Sequence, residues 1–300
     1  MSELDLLEKI AQIPYWRSAV NIAPLVGGMT NRNFIVTDAD AEKFVVRIGQ
    51  DLPEHGVMRF NELAASRAAF VAGISPEVVF ASQGILVCRY IESHTLTPED
   101  VRNPKHLPAI IDLIKRCHRD IPRFLRGPAL AFWVFQIIRN YLSELYLKPN
   151  SILAFELSRL AHMAELIERD IGPIELVFGH NDLLAANFLD DGQRLWLIDW
   201  DYAGFNSPLF DLANLSSNNA FDSAQDQAIL QGYFAEAMTQ NNVQCFEAMK
   251  CASLLRETLW GAYSALHSTI HFDYQTYTLD YLARLDDAWH AYQNKAFLGK

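Results

Sequence analysis

Cysteine is scarce in this 300-residue chain, and the four thiols, Cys88, Cys117, Cys245 and Cys251, show no paired spacing. That distribution argues against a zinc site and against a disulfide framework, and it fits a reducing compartment. Basic charge is also short. Lys and Arg number 25 against 36 Asp and Glu, a formal net charge of −11. Such a balance argues against a nucleic acid partner and is compatible with a cationic one. No apolar stretch approaches the roughly 20 residues that span a bilayer. Met1 to Lys9 carries charges throughout and lacks the apolar core of a secretion signal. A cytoplasmic protein is expected. Internal repeats and low-complexity tracts are absent, and nothing in the sequence sets an oligomeric state. Half of the residues are hydrophobic and 12% are aromatic, so a packed core is expected rather than disorder. The length allows two lobes.

Hydrophobic patterning divides the chain. Ser2 to Ile13 reads as a short helix with Leu4, Leu7 and Ile10 on one face. Ala23 to Thr37 reads as a hairpin with Gly27-Gly28 and Asn31 near its turn. Phe44 to Ile48 is an apolar β-branched run, hence a strand. Arg59 to Ala72 has helical periodicity, and Val78 to Phe80 and Ile85 to Val87 read as strands. Helices are then expected over Leu107 to Arg119, Phe132 to Leu147, Ile152 to Asp170, Ser223 to Thr239, Phe246 to Ser268 and Tyr274 to Gln293. A β-rich first third and a helical remainder make an α+β, two-lobed layout. The boundary falls near Tyr90, giving a first lobe over 1–90 and a second over 91–300. A cleft between such lobes is a usual place for a nucleotide.

The most specific pattern is His180-Asn181-Asp182-Leu183-Leu184-Ala185-Ala186-Asn187, followed by Ile198-Asp199-Trp200-Asp201. Asp and Asn are common in loops because they cap turns. The joint pattern is much rarer: a strand at Leu176 to Phe178, the H-N-D-x-x-x-x-N loop, a hairpin turning at Asp190-Asp191-Gly192, and an apolar-flanked Asp. Protein kinases use an Asp and an Asn five residues apart, then a second Asp, to place a hydroxyl and Mg²⁺ around the terminal phosphate of ATP. Read this way, Asp182 escorts the hydroxyl as base, and Asn187 and Asp199 offer hard oxygen ligands suited to Mg²⁺. His180 reads as a residue that holds the loop. In the first lobe, the Gly27, Gly28, Thr30 and Asn31 turn is placed to approach phosphates closely. Arg47 on the next strand and Glu62 on the following helix stand in the order of a phosphate-contacting cation and its helix carboxylate. A bare hairpin turn, a charged edge-strand residue and a solvated helix face are the plain readings of these three features taken singly.

Taken together the chain resembles the choline/ethanolamine kinase branch of the aminoglycoside phosphotransferase-like superfamily, over about Leu25 to Tyr281. The blocks that carry the likeness are Val177 to Asn187, Leu197-Ile198-Asp199-Trp200-Asp201-Tyr202-Ala203-Gly204 and Phe210-Asp211-Leu212-Ala213-Asn214. Arg47 in place of lysine matches the same family. The resemblance implies a two-lobed protein-kinase-like fold, with ATP and Mg²⁺ as cofactors. It implies phosphate transfer to the hydroxyl of choline, ethanolamine or a similar amino alcohol. Nucleotide contacts carry over to the Gly27 to Asn31 loop, to Arg47, and to the hinge at Arg89 and Ile91. Asp201 is similar to an acidic residue near the family's reaction centre. Leu259-Trp260-Gly261-Ala262-Tyr263-Ser264 resembles the segment that supplies aromatic walls for choline, and Tyr277 stands where a further tyrosine is expected. Aromatic faces hold a quaternary ammonium by cation–π attraction, but aromatics at helical spacing are also ordinary core residues.

Other readings are a kinase of another cationic alcohol (thiamine or an aminoglycoside), a non-catalytic nucleotide-binding module, and a protein kinase. An aminoglycoside pocket should offer many carboxylates, whereas the Leu259 to Tyr281 region offers mainly aromatics. A dead module would have lost one of Asp182, Asn187 and Asp199. A protein kinase would show an A-P-E segment and a long activation loop, and neither is present.

Overall fold

The computed structural model describes residues 3–25, 31–268, 270 and 272–298. Its strands are β1 (Asn21–Leu25), β2 (Arg32–Thr37), β3 (Lys43–Ile48), β4 (Val78–Ser82), β5 (Ile85–Arg89), β6 (His94–Thr95), β7 (Val177–Gly179), β8 (Phe188–Asp190), β9 (Leu195–Leu197) and β10 (Gly204–Asn206). Its helices are α1 (Glu3–Ala11), α2 (Arg59–Val71), α3 (Pro98–Arg102), α4 (Leu107–Phe124), α5 (Val134–Tyr146), α6 (Leu157–Ile171), α7 (Pro208–Asn218), α8 (Ser223–Phe234), α9 (Gln240–His267) and α10 (Tyr274–Leu298).

The first five strands form one antiparallel sheet in the order β1-β2-β3-β5-β4. Alternation along a strand sends neighbouring side chains to opposite faces. Phe44, Val46 and Ile48 therefore meet Phe34, Val36, Ile85 and Val87 in a small core closed by Leu6, Ile10 and Ile13. Val45 and Arg47 point the other way, with Leu86 and Cys88 beside them on β5. That second face is the roof of the main cavity.

The helical lobe is built around α9. Every residue from Cys251 to Ser264 is buried, and α5, α6, α7 and α10 pack against it. A helix enclosed on all sides carries no amphipathic stripe. Two short sheets also belong to this lobe: β7 with β10, and β6-β8-β9, whose Thr95 and Leu189 line the cavity.

The two-lobed α+β layout is therefore as expected, with several boundaries moved. The helix expected from Ile152 starts at Leu157. The helix expected to reach Thr239 stops at Phe234, where Ala235 takes a positive φ of 51°. The one expected from Phe246 already begins at Gln240, where Thr239 and Asn242 form a reciprocal cap.

Candidate active site

The H-N-D loop hangs between β7 and the 3₁₀ turn Ala185–Asn187 that leads into β8. Its shape is set by buried hydrogen bonds. Asp211, in the first turn of α7, accepts from the backbone N–H of His180 (2.8 Å) and of Asn181 (2.7 Å), and from His118 Nε2 (2.9 Å). Burial works against its charge, but the His118 bond and these N–H donors outweigh it and hold its pKa below the usual carboxylate range. Asn214, one turn on, accepts from Leu183 N at 2.6 Å. The Asn181 amide donates to the carbonyls of Tyr202 and Gly204, which ties the loop to the segment after Asp201. Asn181 itself takes a positive φ of 65°, a conformation that Asn tolerates better than most residues.

His180 acts as the sequence suggested. Its Nε2 lies 2.9 Å from the Ile198 carbonyl, and its Nδ1 accepts from Asp182 N at 3.3 Å. One ring nitrogen donates and the other accepts, so the imidazole is neutral. Burial lowers its pKa and agrees with that state.

The hairpin then brings the two candidate metal ligands together. Phe188 pairs with Leu197 across β8 and β9, and Ile198 N donates to Asn187 O at 3.0 Å. Asn187 Nδ2 donates to the Asp182 carbonyl at 2.8 Å, which leaves Oδ1 as the amide's free end. Asp199 follows at a positive φ of 69°. Its Oδ2 pairs with Arg47, and its Oδ1 is buried with no hydrogen-bond partner.

Arg47 is the centre of a five-member charge network. It reaches Glu62 (2.7 Å), Asp199 (2.7 Å) and Asp201 (3.0 Å). Arg59, at the start of α2, reaches Glu62 (2.6 Å) and Asp201 (2.7 Å). Burial opposes the charge on Arg47, but Asp199, Asp201 and Glu62 hold its pKa well above the ordinary value. For Asp201, burial is outweighed by Arg47 and Arg59, so its carboxyl stays below the usual range. Asn31 closes the network by donating to Asp201 Oδ2 at 2.8 Å.

All of this opens into one cavity of about 450 Å³ between the sheet face and the helical lobe. Arg47, Glu62, Arg89, Ile91, Asp182 and Asn187 line it, as do Asp199, Asp201, Trp260 and Tyr277. Arg89 turns its guanidinium outward to Glu42 and Glu77. Asn31 does not line the cavity. Tyr263 does not line it either. Its ring packs 5.3 Å from His55 and 5.5 Å from Tyr141 and stacks at 4.4 Å on His267. Gly27, Gly28 and Thr30 lie outside the described residues.

At the Asp182 end the cavity holds residues that the sequence reading missed. Arg256 Nη1 sits 4.0 Å from Asp182 Oδ1 and bonds Glu257. Tyr277 donates its hydroxyl to Glu257 Oε2 at 2.8 Å, and Trp260 Nε1 donates to the Tyr202 hydroxyl at 3.1 Å. Burial pushes the Asp182 carboxyl well above its ordinary pKa. Arg256 opposes the shift, while Glu257, Asp199 and Asp201 add to it. A charged pair inside a buried apolar helix was a legible signal, as was the Arg59–Glu62 spacing of three. Among the described residues, no group of three or more His, Cys, Asp and Glu side chains could hold a metal ion.

Comparisons with known proteins identify the family. The family model described as choline/ethanolamine kinase matches residues 22–246. Protein LicA of Haemophilus influenzae is 28% identical over 274 residues, which covers 88% of this chain and 78% of the relative. A probable ethanolamine kinase of Arabidopsis thaliana is 26% identical, covering 87% of this chain and 77% of the relative. The crystal structure of a choline/ethanolamine kinase family protein from Mesorhizobium loti superposes with a TM-score of 0.78 at 28% identity, covering 96% and 95% of the two chains. The chain belongs to the choline/ethanolamine kinase family and is a phosphotransferase with an alcohol group as acceptor.

Proposed function

We propose that the protein transfers the γ-phosphate of ATP to the hydroxyl of choline, ethanolamine or a similar amino alcohol, in a Mg²⁺-dependent reaction. The observation that carries this reading is that one cavity holds a buried carboxylate, two oxygen ligands, a guanidinium and aromatic walls. In this reading residues 1–90 bind the nucleotide and 91–300 carry catalysis and the acceptor. The cavity face of β3 and β5 would hold the nucleotide, with Arg89 and Ile91 toward its adenine and Arg47 toward its phosphates.

Asn187 and Asp199 would hold Mg²⁺. The donors fit it: both are oxygens, and Asp199 Oδ1 is buried and unbonded. Mg²⁺ is commonly bound by one or two carboxylates together with substrate phosphates, so no all-protein cage is required. The bound ion supplies charge neutralisation for the phosphates. Arg47 adds a fixed guanidinium on the same side. Asp182 accepts a hydrogen bond from the acceptor hydroxyl and takes its proton as the oxygen attacks phosphorus and ADP leaves. Its raised pKa makes it a better base than an exposed carboxylate.

The acceptor end supports a small monocation. Asp182 and Glu257 against Arg256 leave one surplus negative charge, where an aminoglycoside would need several. Trp260 and Tyr277 supply apolar faces for the cation. No helix among the described residues is long and apolar enough to cross a membrane. We assign the reaction to the cytoplasm, which the four free thiols support. The test is ADP release with ATP and Mg²⁺ against choline, ethanolamine, thiamine and kanamycin. Turnover with choline or ethanolamine is expected, and a preference for thiamine or kanamycin would overturn the assignment.

A further inference from the structure

Arg256 and Glu257 are the only charged residues between Cys251 and Ser264, a stretch of α9 buried on every side. Burying a charge is costly unless it is paired and hydrogen-bonded, and a purely structural position here would be filled more stably by an apolar side chain. The pair is not remote from the chemistry, since both residues line the cavity beside Asp182.

Their contacts change what the aromatic wall can do. The Arg256 guanidinium lies 4.3 Å from the Tyr202 ring centroid, so that ring already carries a cation. Tyr263 packs outside the cavity. Trp260 and Tyr277 remain, and the Tyr277 hydroxyl is committed to Glu257. The wall therefore consists of two rings beside a buried carboxylate. That carboxylate uses one oxygen on Arg256 and the other on Tyr277. An ionised carboxylate has about four lone-pair sites, so it can accept further N–H donors.

We infer that Glu257 binds the ammonium group of the acceptor and selects amino alcohols whose nitrogen keeps its N–H bonds over quaternary ones. This rests on the amino-alcohol reading above. A primary ammonium can donate to Glu257 while its hydroxyl lies at Asp182. A trimethylammonium group of the same charge would desolvate Glu257 and return no hydrogen bond. A site built to bond a donor discriminates strongly against an analogue that lacks it.

The test uses ethanolamine, its N-methyl and N,N-dimethyl derivatives, and choline with the wild-type protein, read as ADP release. We expect kcat/KM to fall along the series, most sharply at the last methyl, with a total loss on the order of tenfold to a hundredfold. Glu257→Gln should bring ethanolamine and choline to within about threefold of each other without changing the KM for ATP. Choline used as well as ethanolamine by the wild-type protein would overturn the inference while leaving the amino-alcohol reading intact. So would a gap that survives Glu257→Gln. No turnover with any of the four amines would instead overturn the reading beneath it. The wild-type series decides the matter even where the variant folds poorly.

Discussion

Replacing Arg47 by Met removes the cation at the centre of the charge network and keeps most of its side-chain volume. Three carboxylates then lose a partner at 2.7, 2.7 and 3.0 Å. Removing one side of a buried ion pair costs about 3–5 kcal/mol, because a charge is left without compensation. Two features pull the expected value to the lower end. Arg59 still bonds Glu62 and Asp201, and the Asp199 side chain is 24% exposed, so it regains water. The expected loss is about 3 kcal/mol, read as a lowered urea midpoint at unchanged slope, or as a drop of roughly 6–10 °C in Tm. Glu62→Gln in the same protein should return part of that stability, since Arg59 then no longer has to be shared between two carboxylates. It should not return ATP affinity, because the guanidinium proposed to face the phosphates stays absent. A variant within about 0.5 kcal/mol of wild type would show that the network contributes nothing as a unit.

Asp182→Asn keeps the shape of the loop and removes the proposed base. Turnover should fall by about 10²- to 10⁴-fold with ATP affinity retained, measured by steady-state kinetics and nucleotide titration; undiminished turnover would remove Asp182 from its role. His55 gives a prediction about pH and stability. Burial, then Arg256 and His267, lowers its pKa from 6.5 to about 4. The unfolded chain therefore takes up this proton first as the pH falls. Stability present above pH 6.5 is lost on the way to pH 4, at about 1.4 kcal/mol per pH unit and on the order of 3 kcal/mol in all. His55→Gln should flatten that part of the urea-midpoint profile, and an unchanged profile would show that the slope comes from other groups.

Local pattern carried much of the fold and the centre of the site. The β8–β9 hairpin was readable because Asp191-Gly192 joins two apolar runs, and it fixes how Asn187 and Asp199 meet. The strands β6 and β10 were not readable: at two and three residues, they exist only through pairing with β8 and β7. α7 went unread because Pro208 to Asn218 is buried almost all round and shows little periodicity. The partnership of Arg59 with Asp201 spans 142 residues, and no local spacing reports such a contact. For the aromatic segment, the three-residue spacing put Trp260 and Tyr263 near one face. Neighbouring elements decided the rest: His55 and Tyr141 enclose Tyr263 while Trp260 reaches the cavity. The burial that raises the Asp182 pKa is likewise a tertiary property, reinforced by Glu257 from α9 and by Asp199 and Asp201 from the segment after β9.

The proposed reaction moves a phosphoryl group from ATP to an amino alcohol's oxygen within this cavity. Following the wild-type protein with ATP, Mg²⁺ and ethanolamine by ³¹P NMR tests it most directly. A new phosphomonoester resonance should grow in step with ADP and be absent with Asp182→Asn. ADP accompanied only by inorganic phosphate, or no turnover with ethanolamine or choline, would contradict it.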